Sequence, residues 1–209
     1  MADPAVPSAL LEAAARVIAE EGSSALTLRR LAAEVGTSTM AVYTHFGSME
    51  EVRRRVRREG FSRFAARLAE IGDTDDPVLD VILLGAAYFA NAASSPRLYR
   101  VMFMEQPVDA ADAAVGLGTF ERLVRGVQRC IDDGRFSPGD ATELATQLWA
   151  FNHGLVTLRL AGLMSTDASV RSLEAGSLNL FAAYGDEPAA SRRSLENARP
   201  LLPREWQIA

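Results

Sequence analysis

The residues that could carry chemistry in this chain are few and scattered. Its 209 residues include two histidines, His45 and His153, and one cysteine, Cys130. These residues are not clustered at the spacing of metal ligands, and a single cysteine excludes an internal disulfide framework. No nucleophile–base pair and no glycine-rich phosphate loop stands out. The sequence therefore predicts no catalytic residue, no metal and no cofactor, and the chain is not expected to be an enzyme.

The basic residues are distributed unevenly. All 22 are arginines, and residues 1–63 carry nine of them beside eight acidic residues. The formal net charge of −5 argues against a nucleic-acid partner, but the N-terminal third is locally basic at one place. Five arginines lie together there: Arg53, Arg54, Arg55, Arg57 and Arg58. Some of them must form a solvated face, whereas one or two are placed to contact a DNA backbone.

The composition is that of a folded protein, with 48% hydrophobic and 23% charged residues. The longest uncharged apolar stretch, Val81–Ala93, is too short and too interrupted to span a bilayer. The first residues, Met1-Ala2-Asp3-Pro4, hold an acidic residue where a secretory signal has a basic one. We therefore expect a cytoplasmic protein that makes no contact with a membrane.

Apolar periodicity and capping residues predict an all-α fold of about nine helices, with no strand. Helices are expected at about 8–22, 27–36, 42–44, 48–72, 77–91, 97–104, 117–133, 140–164 and 167–184. Residues 107–116 are expected to form a loop. Because of Pro188, Pro200 and Pro203, residues 186–209 are expected to form an irregular tail.

The second and third predicted helices have the spacing of a helix-turn-helix, with Gly36 at the turn. This arrangement places short side chains on the outward face of the third helix, close enough to reach base edges. Thr27, Tyr43 and His45 are candidates for phosphate contacts; the alternative is a helix cap for Thr27, and packing for Tyr43 and His45. One of Arg29 and Arg30 is also expected to reach DNA. The candidate DNA-binding residues are Thr27, Arg29, Ser38, Thr39, Met40, Tyr43, Thr44, His45 and Arg53.

Residues Leu10–Phe61 resemble the N-terminal DNA-binding domain of TetR-type transcriptional regulators. The matching sequence is LLEAAARVIAEEGSSALTLRRLAAEVGTSTMAVYTHFGSMEEV, with the helix-turn-helix at Thr27–Phe46. The resemblance implies a homodimer that places two such domains on successive major-groove faces. The family commonly has a lysine where this chain has Met49, so Arg53 or Arg54 would substitute for that phosphate contact.

The segment Leu148–Leu155 resembles the W-x-x-x-H-G segment of one subclass of TetR-type ligand domains, and Pro96–Phe103 fits the same subclass. The resemblance implies a helical domain that senses an effector and dimerises. Candidate ligand-binding residues are Tyr88, Phe89, Tyr99, Met102, Phe103, Phe120, Trp149, Asn152 and His153. Taken singly, residues of these types are more often plain core residues, and a structural hydrogen bond is the favoured role for His153. The apolar and aromatic character of these candidate residues favours a lipophilic effector.

The predicted helix at 140–164 has an apolar arc of roughly 200°, wider than one core contact needs. Its opposite side holds small residues that allow another helix to approach closely: Thr146, Ala150, Gly154, Thr157 and Ala161. We therefore expect dimerisation through the 140–164 and 167–184 helices. Asn152 and Arg159 fall inside the apolar arc, where they either bind each other and nearby carbonyls or serve as polar groups of a ligand pocket.

The predicted organisation is a helix-turn-helix DNA-binding domain at 8–60, an effector-binding and dimerisation domain at 61–185, and an irregular tail at 186–209. The predicted function is a homodimeric repressor that binds a palindromic operator in double-stranded DNA and is released by a small, lipophilic effector. Two alternatives remain open: an effector-independent repressor or activator, and an enzyme built on an all-α scaffold.

Overall fold

A computed structural model describes residues 5–107 and 109–202, and within these ranges the chain is helical and has no strand. The α-helices are α1 (Ala5–Glu21), α2 (Leu28–Val35), α3 (Thr39–Phe46), α4 (Met49–Ala69), α5 (Pro77–Ser94), α6 (Pro96–Phe103), α7 (Ala110–Ala113), α8 (Leu117–Asp132), α9 (Ala141–Leu160), α10 (Thr166–Ala183) and α11 (Pro188–Ala198). The predicted all-α fold class is confirmed.

The chain divides into two compact units. The first contains the residues up to Phe64 together with Ala92–Leu117, and the second contains Ala65–Asn91 together with the residues from Gly118 onward. The residues of α6 and α7 therefore lie in the same unit as α1, α2 and α3, although they fall within the range 61–185 predicted for the effector-binding domain.

The core of the first unit joins α1 to the short helices that follow it. Leu10 and Ile18 of α1, Leu31 of α2, Val42 of α3 and Val52 of α4 are fully buried in one apolar cluster. The apolar side chains of α1 recur three to four residues apart, so they line one face of the helix. This cluster holds α2 and α3 in place, and Val101 of α6 belongs to it as well.

Residues 107–116, predicted as a loop, contain the short helix α7. Asp109 begins it by accepting a hydrogen bond from the backbone N–H of Asp112 at 2.8 Å. Arg54 of α4 donates to Asp109 at 2.9 Å, and buried Arg57 donates to Asp112 at 3.5 Å. The prediction of a loop missed these ion pairs because their partners are 55 residues apart along the chain.

The core of the second unit is formed by α5, α8, α9 and α10. Val78, Val127, Phe136 and Phe181 are buried there, and the rings of Phe136 and Phe181 have centroids 5.7 Å apart. By length and composition α5 is apolar enough to cross a bilayer, but 61% of that stretch is buried inside the protein. A core helix passes the same test.

The prediction of an irregular tail is wrong for residues 188–198, which form α11, while residues 203–209 lie outside the described range. Glu187 caps this helix by accepting from the backbone N–H of Ala190 at 2.9 Å, and Pro188 occupies its first turn. A proline there starts a helix, because its missing N–H would have no partner inside the helix in any case. Arg135 then holds Asp186, just before α11, through two hydrogen bonds of 2.6 and 2.8 Å.

Two helix ends also differ from prediction. The first helix begins at Ala5, three residues before its predicted start at residue 8. Helix α9 ends at Leu160, so Leu163 lies beyond it. Gly162 there adopts a φ of +74°, a left-handed conformation that suits glycine and ends a helix.

Candidate functional site

Local hydrogen bonds set the geometry of α2, the turn and α3. Thr27 caps α2 by accepting from the backbone N–H of Arg30 at 3.1 Å. Gly36 ends the helix in the left-handed region with a φ of +71°. Ser38 then caps α3 by accepting from the backbone N–H of Ala41 at 3.1 Å. The chain therefore leaves one helix and enters the next within three residues, as a helix-turn-helix requires.

Helix α3 has a buried face and an exposed face. Val42 and Phe46, four residues apart, point into the core of the first unit. Met40 and Tyr43 lie on the outside, with 70% and 58% of their surface exposed. The exposed set on and beside this helix is Ser38, Thr39, Met40, Tyr43 and Thr44. Residue spacing predicts Ser38, Thr39, Met40, Ala41 and Thr44 on or near the outward face; all but the half-buried Ala41 are exposed. Their contact with DNA stays a prediction.

The hydroxyl groups at this surface have local partners as well. Thr44 Oγ1 donates to the carbonyl oxygen of Met40 at 2.8 Å. The oxygens of Thr27 and Ser38 accept backbone hydrogen bonds as caps, which leaves their hydroxyl hydrogens to donate elsewhere. His45 is half-buried. Because the hydroxyl oxygen of Thr27 accepts as a cap while its hydrogen can still donate, Thr27 can both cap α2 and contact a phosphate.

The two arginines at the start of α2 are in different environments. Arg30 donates to Glu34 at 2.9 Å and to Glu21 at 2.6 Å. These bonds raise the pKa of Arg30, and the bond from Arg30 lowers the pKa of Glu34. Arg29 is exposed and has no ion pair within the part of the chain that the structure describes. Of the two, Arg29 has the charge available for a phosphate.

Three of the five clustered arginines on α4 form ion pairs with carboxylates of the protein. Arg54 pairs with Glu51 and Asp109, Arg55 pairs with Glu51, and Arg57 pairs with Asp112. Hydrogen bonding to Arg55 is the largest cause of the lowered pKa of Glu51. Among residues 5–107 and 109–202, Arg53 and Arg58 have no such partner. Arg53 therefore keeps its charge available, whereas Arg54 is ion-paired within the protein; contact of either residue with DNA stays a prediction.

The predicted ligand-binding residues fall into separate groups. Tyr99, Met102 and Phe103 lie in the first unit; Tyr99 and Met102 are fully buried, and the ring of Phe103 contacts that of Phe61 with centroids 5.1 Å apart. These three residues have the surroundings of core residues.

A second group lies in the second unit around His153. Its Nδ1 is 2.9 Å from the hydroxyl oxygen of Tyr88. The ring of Trp149 contacts both His153 and Phe120, with centroids 5.8 and 5.9 Å away. Phe89 is fully buried, with the guanidinium carbon of Arg159 5.7 Å from its ring centroid. Burial lowers the pKa of His153.

An apolar cavity in the second unit contains only one of the predicted ligand-binding residues, Asn152. The cavity has a volume of about 40 Å³. Its polar lining consists of Asn152, Glu174 and Ser177. The apolar lining comes from α5, α8, α9, α10, α11 and the residues after it: Val81, Ile82, Ala86, Leu123, Leu148, Val170, Leu173, Leu178, Phe181, Leu195 and Leu202. Glu174 and Ser177 are not among the predicted residues; their signal in the sequence is a polar pair three residues apart among the leucines of α10.

The remaining reactive residue is far from nucleophilic. Burial raises the pKa of the Cys130 thiol to about 12, so the thiol stays protonated at neutral pH. Within the described ranges, no group of three or more histidine, cysteine, aspartate or glutamate side chains is arranged to hold a metal ion.

Two ranges of the chain match families of known proteins. Residues 10–56 match the family described as bacterial regulatory proteins, tetR family, and residues 81–178 match tetracyclin repressor-like, C-terminal domain. The two ranges together cover more than half of the chain. The uncharacterized HTH-type transcriptional regulator Rv0681 of Mycobacterium tuberculosis is 29% identical over 168 residues, which are 76% of this chain and 73% of that protein.

Solved structures share the fold. A protein of unknown function from Rhodococcus sp. RHA1 superimposes with a TM-score of 0.77 at 24% identity, covering 87% of this chain and 96% of its own. The fatty acid degradation regulator FadR of Bacillus halodurans gives a TM-score of 0.72 at 17% identity, covering 90% of this chain and all of its own. At these identities the likeness concerns the fold.

Proposed function

This chain belongs to the TetR family of DNA-binding transcriptional regulators, and from that membership we propose that it is a homodimeric repressor acting in the cytoplasm. In this proposal it binds a palindromic operator, and a small lipophilic effector releases it. As a member of this family the chain is a regulator and not an enzyme.

The observation that carries the operator contacts is the exposed face of α3. The recognition helix of a helix-turn-helix enters the major groove and contacts base edges with its N-terminal residues. Thr39 and Met40 provide methyl groups suited to thymine, and Tyr43 provides a hydroxyl suited to a phosphate. Ser38 and Thr44 add hydroxyls on the same exposed surface. Thr27, Arg29, His45 and Arg53 complete the proposed contacts to the backbone.

The proposed dimer uses the outer faces of α9 and α10. Helix α9 exposes Ala150, Gly154 and Leu158 in one stripe, with 41% of the Leu158 surface exposed. Helix α10 exposes Arg171, Ala175 and Asn179, four residues apart on one face. Small residues let helices approach closely, and an exposed leucine among them gains by burial. Two copies related by a two-fold axis would pair these stripes with themselves.

The proposed effector site is the apolar cavity of the second unit. An effector shifts the equilibrium between two conformations only by its differential affinity for them. A 100-fold loss of operator affinity requires about 2.7 kcal/mol of coupling. Helix α4 is continuous from Met49 to Ala69, so it contributes residues to both compact units. We propose that it transmits the effector signal to α3.

The first test is selection of random DNA duplexes by the purified protein. We expect an enriched inverted repeat whose half-sites lie about one helical turn apart or slightly more. Tyr43→Ala and Thr39→Ala should each weaken binding to that repeat by about 10- to 100-fold, because each removes a proposed contact. Met104→Ala is the matched control, since Met104 is an exposed apolar residue outside the helix-turn-helix. Enrichment of no sequence even at low salt would contradict the proposal.

The second test concerns release. Compounds that raise the melting temperature of the protein are added to the operator complex, and the operator affinity is measured by fluorescence anisotropy. An effector should weaken it by about 100-fold. If every compound that binds the protein leaves the operator affinity unchanged, effector release is refuted, while operator recognition is untouched by that result.

A further inference from the structure

We infer that the effector is a neutral, largely apolar molecule that donates a hydrogen bond to Oδ1 of Asn152. This inference rests on the proposed effector site and adds the chemical class of its ligand. It is drawn from three features of the cavity: an amide oxygen without a partner, a lining without cationic side chains, and a glycine that makes room for the amide.

The first feature is the amide of Asn152. This residue is 8% exposed, and its Oδ1 is buried with no hydrogen-bond partner in the protein. An amide oxygen can accept two hydrogen bonds, and buried polar atoms in folded proteins nearly always have at least one. Leaving such an acceptor unpaired costs free energy. A donor from outside the chain would remove that cost, and Asn152 lines the cavity where such a donor would sit.

The second feature is the charge of the lining. Among the described residues that line the cavity, none is an arginine, lysine or histidine. A buried carboxylate or phosphate would have no positive partner there and would lie near the carboxylate of Glu174. Glu174 itself pairs with Arg199 at 3.5 Å, so it does not demand a cationic ligand. The lining therefore favours a neutral molecule over either ion.

The third feature is Gly85 on α5, opposite the amide. A Cβ built at this position would lie 3.2 Å from Nδ2 of Asn152, closer than ordinary contact. Because Gly85 has no side chain, the amide group of Asn152 fits at the cavity wall without a steric clash. Because the free volume is only about 40 Å³, room for a few water molecules, a larger ligand enters only as lining side chains move.

The test uses the full-length protein and four probes that share one ring: phenol, anisole, toluene and benzoate. Phenol donates a hydrogen bond, anisole only accepts, toluene does neither, and benzoate is an anion. Binding is measured by saturation-transfer NMR and calorimetry. We expect phenol to bind the wild type about 10-fold or more tightly than the other three. In Asn152→Leu, phenol should lose about 10- to 100-fold in affinity, and its preference over toluene should disappear.

Matched controls separate a ligand contact from a structural role. Asn197→Leu replaces an exposed asparagine of α11 and should leave phenol binding unchanged. The melting temperature of Asn152→Leu without ligand should equal or exceed that of the wild type, because Oδ1 gives up no hydrogen bond. A clear fall in that melting temperature would assign Asn152 to the core and overturn the inference.

The other outcomes are equally decisive. Anisole binding as tightly as phenol, benzoate binding most tightly, or the absence of binding by any probe would each overturn the inference. Operator affinity is measured separately on the same proteins. If phenol binding depends on Asn152 but no ligand alters operator affinity, the inference stands and effector release fails. If a compound releases the operator equally well from Asn152→Leu, effector release stands and the inference fails.

Discussion

Two neighbouring arginines at the start of α2 provide a sharp test at the scale of single residues. Arg30 is held by Glu21 and Glu34, whereas Arg29 is exposed without an ion pair among the described residues. A phosphate contact contributes roughly 0.9 to the slope of log affinity against log salt concentration. We expect Arg29→Ala to reduce the slope by about that amount and Arg30→Ala to leave it unchanged. Titrations of the selected operator at several salt concentrations measure both slopes, and equal slopes would contradict the assignment.

A second prediction at this scale concerns His153. Burial lowers its pKa below the ordinary 6.5, so the unfolded chain takes up a proton at this residue before the folded protein does. The folded state is therefore expected to lose stability as the pH falls below about 6.5, with no contribution from His153 above it. Urea denaturation of the wild type and of His153→Gln at pH 7.5 and 5.5 tests this. The free energy of unfolding of the wild type, taken relative to that of the variant, should be smaller at pH 5.5 than at pH 7.5. A relative free energy that grows on acidification would refute the prediction.

At the scale of elements, two glycines are expected to respond in opposite ways to alanine. Gly36 ends α2 with a φ of +71°, whereas Gly154 lies within α9; at both positions a Cβ would meet nothing within 4 Å. Gly36→Ala should lower the free energy of unfolding by about 1–2 kcal/mol, because an alanine is strained in the left-handed region. Gly154→Ala should raise it by about 0.5–1 kcal/mol, because glycine is a poor residue inside a helix.

Urea denaturation of both variants checks this pair. Neither substitution adds a contact within the protomer, but Gly154 lies in the stripe proposed for the dimer. Both variants are therefore compared in a protein that Leu158→Glu has made monomeric, where the difference between them isolates the backbone conformation. Equal effects of the two substitutions would mean that Gly36 does not need its left-handed conformation to end α2.

At the scale of the whole molecule, the proposed dimer predicts an effect of charge on α9. Leu158→Glu would place two carboxylates near the two-fold axis of the paired stripes, where like charges repel. We expect sedimentation to detect a monomer and the operator affinity to fall, because one protomer reads one half-site. Leu117→Glu is the control, since Leu117 is exposed on α8 and outside the stripes. A Leu158→Glu protein that remains a dimer would exclude this interface.

The sequence by itself determined the helices other than α7 and α11, together with the unit that is expected to read DNA. The caps at Thr27 and Ser38 act on backbone groups three residues away, and Gly36 ends α2 through its own φ. The buried face of α3 follows from two apolar residues four apart, Val42 and Phe46. All these features depend on neighbours within one helical turn, so residue order alone predicts them.

Only the tertiary structure decided which charged and polar residues have partners. Arg57 pairs with Asp112, 55 residues away, which removes one arginine from the cluster expected beside DNA. The aromatic residues proposed for the ligand pocket separate into different compact units, and Asn152 alone among the predicted ligand residues lines the cavity. Such outcomes depend on which helices pack together, and distances along the chain carry no information about that packing.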